Sequence, residues 1–334
     1  MRAFVFPTVV AALTFVGIFF WLGFDALALT VLLSVLEATL SFDNAVVNAR
    51  VLERMSSRWQ HRFLTWGIPI AVFGTRFILP ILIVSAAAAL SPIVVLKLAL
   101  FEPAHYGQYL TGAHDSIAAF GTVFLLLVSL KYFFNTQKTV HWIERVERYM
   151  TRWGGIEAIE VALVLTVLLV SAIILPNETQ TVLVAGMIGV ILFIAIQGIA
   201  QFFEVETGPA TAATGLALFI YLNVLDSAFS LDGVVAAFAI TSALPIIIAG
   251  LGIGALYVRA STVALVHART LNTLIYLEHG AHWAIFGIAA TLYASMFVSV
   301  PETLAGFIGL IFISLAYISS RREMHRRTRA RIVM

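Results

Sequence analysis

The sequence predicts an all-α fold, a polytopic transmembrane helix bundle of about ten spans built from two inverted repeats. Three observations carry that expectation. Of 334 residues, 61% are apolar and only 11% charged; an ordinary soluble domain is about 45–50% apolar and about a quarter charged. Too few charges exist to cover a water-facing surface, and the mean hydropathy of +0.99 agrees. The apolar residues gather into runs long enough to cross a bilayer, and segments of the first half recur in the second. The chain has no cysteine, which excludes disulfides, thiolate metal sites and iron–sulfur clusters.

The ten candidate spans lie near 6–23, 24–49, 64–90, 113–134, 157–175, 181–203, 213–241, 244–267, 281–299 and 302–319. They approach or exceed the ~20 apolar residues that a crossing helix needs. The first follows Arg2 and lacks a small-x-small cleavage site before the next apolar run, so it reads as an uncleaved span. Basic residues test the layout, because cytoplasmic loops carry the Lys and Arg excess. Alternating the loops puts 17 of the 20 on the side of the N-terminus. These are Arg2, Arg50, Arg54, Arg58, Arg62, Lys131, Lys138, Arg145, Arg148, Arg152, Arg269, Arg321, Arg322, Arg326, Arg327, Arg329 and Arg331. Only Lys97 falls opposite, while Arg76 and Arg259 lie inside spans. Both termini are therefore expected in the cytoplasm. The basic tail at 320–334 follows from this topology, and no nucleic-acid partner is expected.

Near 138–153, between spans four and five, Trp142, Val146, Tyr149 and Trp153 recur at helical spacing among Glu144, Arg145, Glu147, Arg148 and Arg152. This pattern predicts an amphipathic helix lying on the cytoplasmic surface, an anchor with no ligand of its own.

The repeat divides the chain into 1–178 and 179–334. LEATLSFDNAVVNARV from Leu36 aligns with LDSAFSLDGVVAAFAI from Leu225. Arg76 matches Arg259, and YLTGAH (109–114) matches YLEHGAH (276–282) with one residue inserted. Equivalent spans are five apart, an odd number, so the halves are inverted relative to each other. Such repeats are typical of secondary transporters, which bind substrate near the midplane where the repeats meet.

Polar residues concentrate on the paired spans. Span two carries Glu37, Ser41, Asp43, Asn44 and Asn48; span seven carries Asn223, Asp226, Ser230 and Asp232. A carboxylate in hydrocarbon is costly and by default marks an ion or proton pathway. Glu37, Ser41, Asn44 and Asn48 form one helical stripe, and Asn223, Asp226, Ser230 and Gly233 form its counterpart. Asp43 and Asp232 each lie six residues beyond the first acid, about 240° around a regular helix and about 9 Å along it. Local unwinding near 41–43 and 230–232 would bring them into line and expose backbone carbonyls to a cation. Glu37 and Asp226 then form a central pair, with Asp43 toward the cytoplasm and Asp232 toward the outside.

Four carboxylates against Arg76 and Arg259 leave two negative charges, which one divalent cation neutralises. Oxygen donors suit Mg²⁺, Ca²⁺ or Mn²⁺, and His114 and His282 would favour Mn²⁺ if they reach the site. Each residue also has a plainer role. The arginines read as structural partners of the acids, and the histidines sit near span ends where solvation or capping suffices. Asn44 and Asn48 join helices by hydrogen bonds, and Asp115, Glu157 and Glu160 are expected to be solvated.

The SFDN and SLDG segments, with Glu37 and Asp226 six residues before Asp43 and Asp232, resemble the TerC family of integral membrane proteins. That family is named for tellurium resistance and includes proteins implicated in manganese export. The order of motifs looks most like its DUF475 branch, and the resemblance covers roughly 24–134 and 213–299. It implies handling of metal ions in a bacterial plasma (inner) membrane, with Glu37, Asp43, Asp226 and Asp232 at the family's acidic positions. SLDG lacks the asparagine of SFDN, so the second half has lost an amide ligand, and ten spans exceed the shorter layout common in the family.

The expected activity is divalent-cation transport, Mn²⁺ export above all, with protons exchanged through the same carboxylates. The metal ligands would be Glu37, Asp43, Asn44, Asp226 and Asp232. Ser41, Asn48, Asn223, Ser230, Arg76, Arg259, His114 and His282 would support them. The alternative is a non-transporting scaffold for envelope-complex assembly or metal-stress resistance. HExxH, GxSxG, P-loop and paired-cysteine motifs are absent, so neither an enzyme nor a resident cofactor is expected. Expected partners are the lipid bilayer, the metal ion, protons, and a second copy or another membrane protein.

Overall fold

The computed structural model describes residues 2–53, 55–67, 70, 74, 76, 78–207, 212–241, 243–267, 274–300 and 302–333. The side chains of some residues within these helices, including Asp43, Ser230 and Asp232, lie outside the described set. The protein is 85% helical with no strand among the described residues, an all-α bundle. Among the described residues, three helices, Ala3–Thr39, His114–Phe133 and Leu244–Val266, are long and apolar enough to cross a membrane.

The first helix, α1 (Arg2–Leu40), covers span one and most of span two. It is broken at Gly23, whose φ of 86° is the left-handed conformation glycine adopts without a Cβ penalty. That is where the apolar runs predicted a boundary. A single turn at Ser41 separates α1 from α2 (Phe42–Glu53). Span three is composite: α3 (Ser57–Thr65) leads into π-helical winding at Ile70, Gly74, Arg76 and Ile78, and α4 (Leu79–Ala87) follows.

The connection to span four is not an open loop. It folds into two ten-residue helices, α5 (Pro92–Phe101) and α6 (Pro103–Gly112). Proline at the first position pre-sets φ and leaves no useful donor unmade; Ser91 caps α5 by accepting from Val94 N. Next come α7 (His114–Phe133), α8 (Glu144–Trp153), α9 (Ile159–Ile174) and α10 (Thr179–Thr207). The last four are α11 (Ala212–Ile240), α12 (Leu244–His267), α13 (Leu277–Ser295) and α14 (Glu302–Val333), which carries the basic tail as continuous helix.

The largest apolar core surrounds α7, with Phe124, Leu127, Val164, Leu168, Phe193 and Leu292 buried together. A second core gathers Leu33, Val84, Leu110, Val234 and Leu251, and a third Leu52, Trp59, Phe63, Leu218 and Leu222.

The second half of α1 packs along α12. Gly250 and Gly254, four residues apart, make the approach possible. A Cβ on Gly250 would lie 2.6 Å from Leu33 Cβ, and one on Gly254 would lie 2.4 Å from Glu37 Cβ. Small residues at this spacing are how helices come close where lipid provides no hydrophobic drive between them. The result is that Glu37 is held against α12 by backbone proximity.

A candidate cation site between the two halves

Glu37, on α1, and Asp226, on α11, are 4% and 5% exposed. Arg76, from the π-wound segment, forms an ion pair with Glu37 Oε1, and its Nη1 lies 3.7 Å from Asp226 Oδ2. Ser41 Oγ donates to Glu37 Oε1 at 3.2 Å, and Asn44 Nδ2 donates to Asp226 Oδ1 at 2.7 Å. The two acids therefore meet through one guanidinium, and a side chain from α2 reaches across to α11.

In the register of the sequence repeat, Asn44 corresponds to Gly233 and Glu37 to Asp226. The contacts follow the same exchange. Asn44 touches Asp226, while a Cβ on Gly233 would lie 2.9 Å from Glu37 Oε2. One side pairs an amide with the shorter acid; the other pairs a glycine with the acid that is one methylene longer.

Three buried oxygens in this region lack a hydrogen-bond partner among the described residues: Asn44 Oδ1, Asn48 Oδ1 and Asp226 Oδ2. Buried acceptors are normally satisfied, and an exception points to a missing ligand or water. Carboxylate and amide oxygens are the donors a hard divalent cation takes. No group of three or more His, Asp and Glu side chains is spaced to hold a metal among the described residues. Any such site therefore draws on amide oxygens, or on Asp43 and Asp232, whose side chains lie outside the described set along with that of Ser230.

The backbone expected to unwind keeps more helix than the spacing suggests. At Ser41 the interruption is one residue, and both Ser41 N→Glu37 O and Ala45 N→Ser41 O remain bonded at 3.0 and 3.3 Å. The helix α11 runs through 230–232 without a break.

The other expected supporting residues lie elsewhere in contact. Asn223 Nδ2 donates to Phe219 O on its own helix. Arg259 is buried, but among the described residues its guanidinium contacts no carboxylate. It donates to Phe63 O at 2.7 Å and lies 4.2 Å over the Phe63 ring. The C-terminal end of α3 carries partial negative charge and suits a cation, and Gly67 leaves the room. His114 Nδ1 lies 3.1 Å from Asp115 Oδ1 at the start of α7. His282 Nδ1 donates to Glu278 O, and its ring stacks on Tyr132 at 3.7 Å. Neither histidine contacts Glu37 or Asp226. Glu160, expected to be solvated, is buried and paired with Lys131 at 2.9 Å.

A second polar cluster escaped the sequence reading. Glu147, on α8, is 0% exposed. Its Oε1 accepts from Ile143 N and Trp283 Nε1, and its Oε2 from Trp142 N and His279 Nδ1. Lys138 Nζ approaches Oε2 at 2.8 Å and lies over the Tyr132 ring. Burial pushes the Glu147 carboxyl up, but the bonds from His279 and Lys138 outweigh it and hold the group below its ordinary range. Burial pulls the Lys138 ammonium down, countered in part by Glu147. The helix α8 is thus fixed to the start of α13 by its acid, while Val146, Tyr149 and Trp153 remain exposed. An Arg50–Glu278 ion pair at 2.7 Å ties α2 to the same end of α13. The sequence signal was weak, because the donors to Glu147 are scattered from 138 to 283.

The family model DUF475, described as a protein of unknown function, matches residues 42–327. Asp43, Arg76, Asp226, Asp232 and Arg259 fall within the match, and Glu37 falls just before it. No curated protein and no solved structure matches the chain.

Proposed function

The chain belongs to the DUF475 family of membrane proteins, and from that premise we propose that it is a divalent-cation transporter related to TerC-type proteins, with Mn²⁺ export as its activity. One observation carries the reading. Two buried carboxylates from opposite halves of the chain share a guanidinium, beside the buried Oδ1 atoms of Asn44 and Asn48, which accept no hydrogen bond among the described residues. Such a set binds a hard cation well and gains little as mere packing, since burying unpaired acceptors costs free energy.

The proposed site comprises Glu37, Asn44 and Asp226, extended by Asp43 on the cytoplasmic side and Asp232 on the outer side. Glu37, Asp226 and Arg76 together carry one net negative charge. Asp43 and Asp232 bring the total to three, against which a divalent ion supplies two positive charges, while Arg259 lies apart on the Phe63 carbonyl. The reciprocal contacts Asn44–Asp226 and Gly233–Glu37 support two inverted repeats meeting at this point. The gathering of Lys and Arg on alternate loops supports a bacterial plasma membrane placement with both termini in the cytoplasm. Protons exchange through the same carboxylates when the metal leaves.

Purified protein in proteoliposomes tests the reading through Mn²⁺ flux. The wild type is expected to move Mn²⁺, and Asp43→Asn and Asp232→Asn are expected to abolish flux. Unchanged flux in both variants rejects the site. No flux from correctly folded wild type rejects transport and leaves the scaffold.

A further inference from the structure

The sequence comparison pairs Arg76 with Arg259, and both are buried, yet their partners differ. Arg76 lies between Glu37 and Asp226. Arg259 lies on the Phe63 carbonyl and ring, in space that a Cβ on Gly67 would close to 2.2 Å from its Nη1. A guanidinium bonds a carboxylate more strongly than a neutral carbonyl. The acidic pair is therefore the better partner for either arginine, and Arg76 already fills the space between the acids.

The glycine that precedes Arg259 leaves no such room in this state, because Leu33 and Thr30 fill it. Each arginine follows a glycine nine residues earlier, Gly67 before Arg76 and Gly250 before Arg259. Gly67 opens room for Arg259 on one side of the bundle. Gly250 lies on α12, close against α1 near Leu33. Arg76 also sits on π-helical winding, a form that marks functional positions within helices.

We infer that the two arginines exchange places during alternating access: Arg76 holds Glu37 and Asp226 in the state seen here, and Arg259 holds them in the opposite state, with the cation bound between. Inverted repeats give a transporter two related conformations, and alternating access moves one repeat against the other around a fixed site. A tethered guanidinium halves the negative charge of the empty acids on each side of the cycle. The arriving cation competes for the same oxygens and releases it. This inference rests on the transport reading and adds how the empty site is held.

The chain's lack of cysteine permits a direct test. Single reporters Ala49→Cys on α2 and Ala237→Cys on α11 replace residues that are 0% exposed. Their labelling rates with a methanethiosulfonate reagent are measured in proteoliposomes without metal. Arg76→Gln and Gly67→Ala both disfavour the present state, the second by dislodging Arg259 while keeping both arginines. Arg259→Gln disfavours the opposite state. The expected result is that the first two shift each reporter's rate in one direction and the third in the other, by about tenfold. Should Arg76→Gln not fold, Gly67→Ala against Arg259→Gln gives the same comparison. Shifts in one common direction, or none, overturn the exchange. Mn²⁺ flux in wild-type vesicles separates the two levels. Flux with no opposed shifts overturns the exchange alone, whereas absence of flux overturns the transport reading and the exchange with it.

Discussion

The side-chain amide of Asn44 donates to Asp226 at 2.7 Å, although 182 residues separate them in the chain. The bond crosses from α2 to α11 and joins the two acidic motifs. Asn44→Ala leaves Asp226 Oδ1 buried without this donor, which costs about 1–3 kcal/mol. Thermal unfolding in detergent measures the loss. A second effect is expected in Mn²⁺ binding, which falls because the amide oxygen of Asn44 is removed as well. Unchanged binding with reduced stability would make Asn44 a purely structural residue.

Two glycines around Glu37 separate binding from packing. Gly233→Ala places a Cβ 2.9 Å from Glu37 Oε2, the mobile end of the side chain, so the carboxylate swings aside and the helices stay put. Gly254→Ala meets Glu37 Cβ and Cγ at 2.4 and 2.5 Å and Ser34 O at 3.0 Å, so α12 must move away from α1. The expected outcome is weakened Mn²⁺ binding with near-normal unfolding temperature for Gly233→Ala. Gly254→Ala should lose about 1–3 kcal/mol of stability from overpacking. Calorimetry of Mn²⁺ binding beside thermal melts reads both.

Removing Arg76 exposes the cost of the acids themselves. Arg76→Gln leaves Glu37 and Asp226 buried beside each other without their shared cation, a loss of about 3–5 kcal/mol. Bound metal then stabilises the folded state by mass action. The variant is expected to melt well below the wild type without metal and to gain more than the wild type from saturating Mn²⁺. An equal gain in both proteins would mean that metal and arginine do not share the same oxygens.

How far the chain could be read in advance depended on the range of each interaction. The helix α12 spans Leu244–His267, the range its apolar run predicts, because apolar length is a local property. The break at Gly23 was legible for the same reason. Glu37, Asn44 and Asp226 stood out because few polar residues lie in apolar spans, and the structure brings these three together. The partner of Arg259 was not legible. Two arginines at matching positions invite matching partners, but Gly67 and the end of α3 offer one of them a different site. Nor was the burial of Glu147, since an acid among charged neighbours reads as solvated until its distant donors are in place.

The two histidines of the GAH segments are expected to have no part in choosing the metal. His114 is partly exposed beside Asp115, and His114→Ala should change stability by less than about 0.5 kcal/mol. His282 is buried against Tyr132, so His282→Ala opens a cavity and costs about 1–3 kcal/mol. The ratio of Mn²⁺ to Mg²⁺ affinity, measured by competition, should stay at the wild-type value in both. A drop in Mn²⁺ preference in either variant would place an imidazole in the site.

The Glu147 cluster gives a pH dependence of definite sign. His279, Lys138 and Trp283 bond or pair with the carboxylate, and His141 and Glu278 lie near. The folded carboxyl is held below its ordinary value. Its contribution is therefore complete above the unfolded value of about 4.3 and is lost as pH falls through the folded one. Glu147→Gln keeps the shape but removes the charge opposite Lys138 and His279, a cost of about 3 kcal/mol. The gap between the melting curves of wild type and variant in detergent should narrow as pH falls below about 4.3. A gap that widened in that acid range would require the carboxyl to be raised on folding, and the docking of α8 to depend on its neutral form.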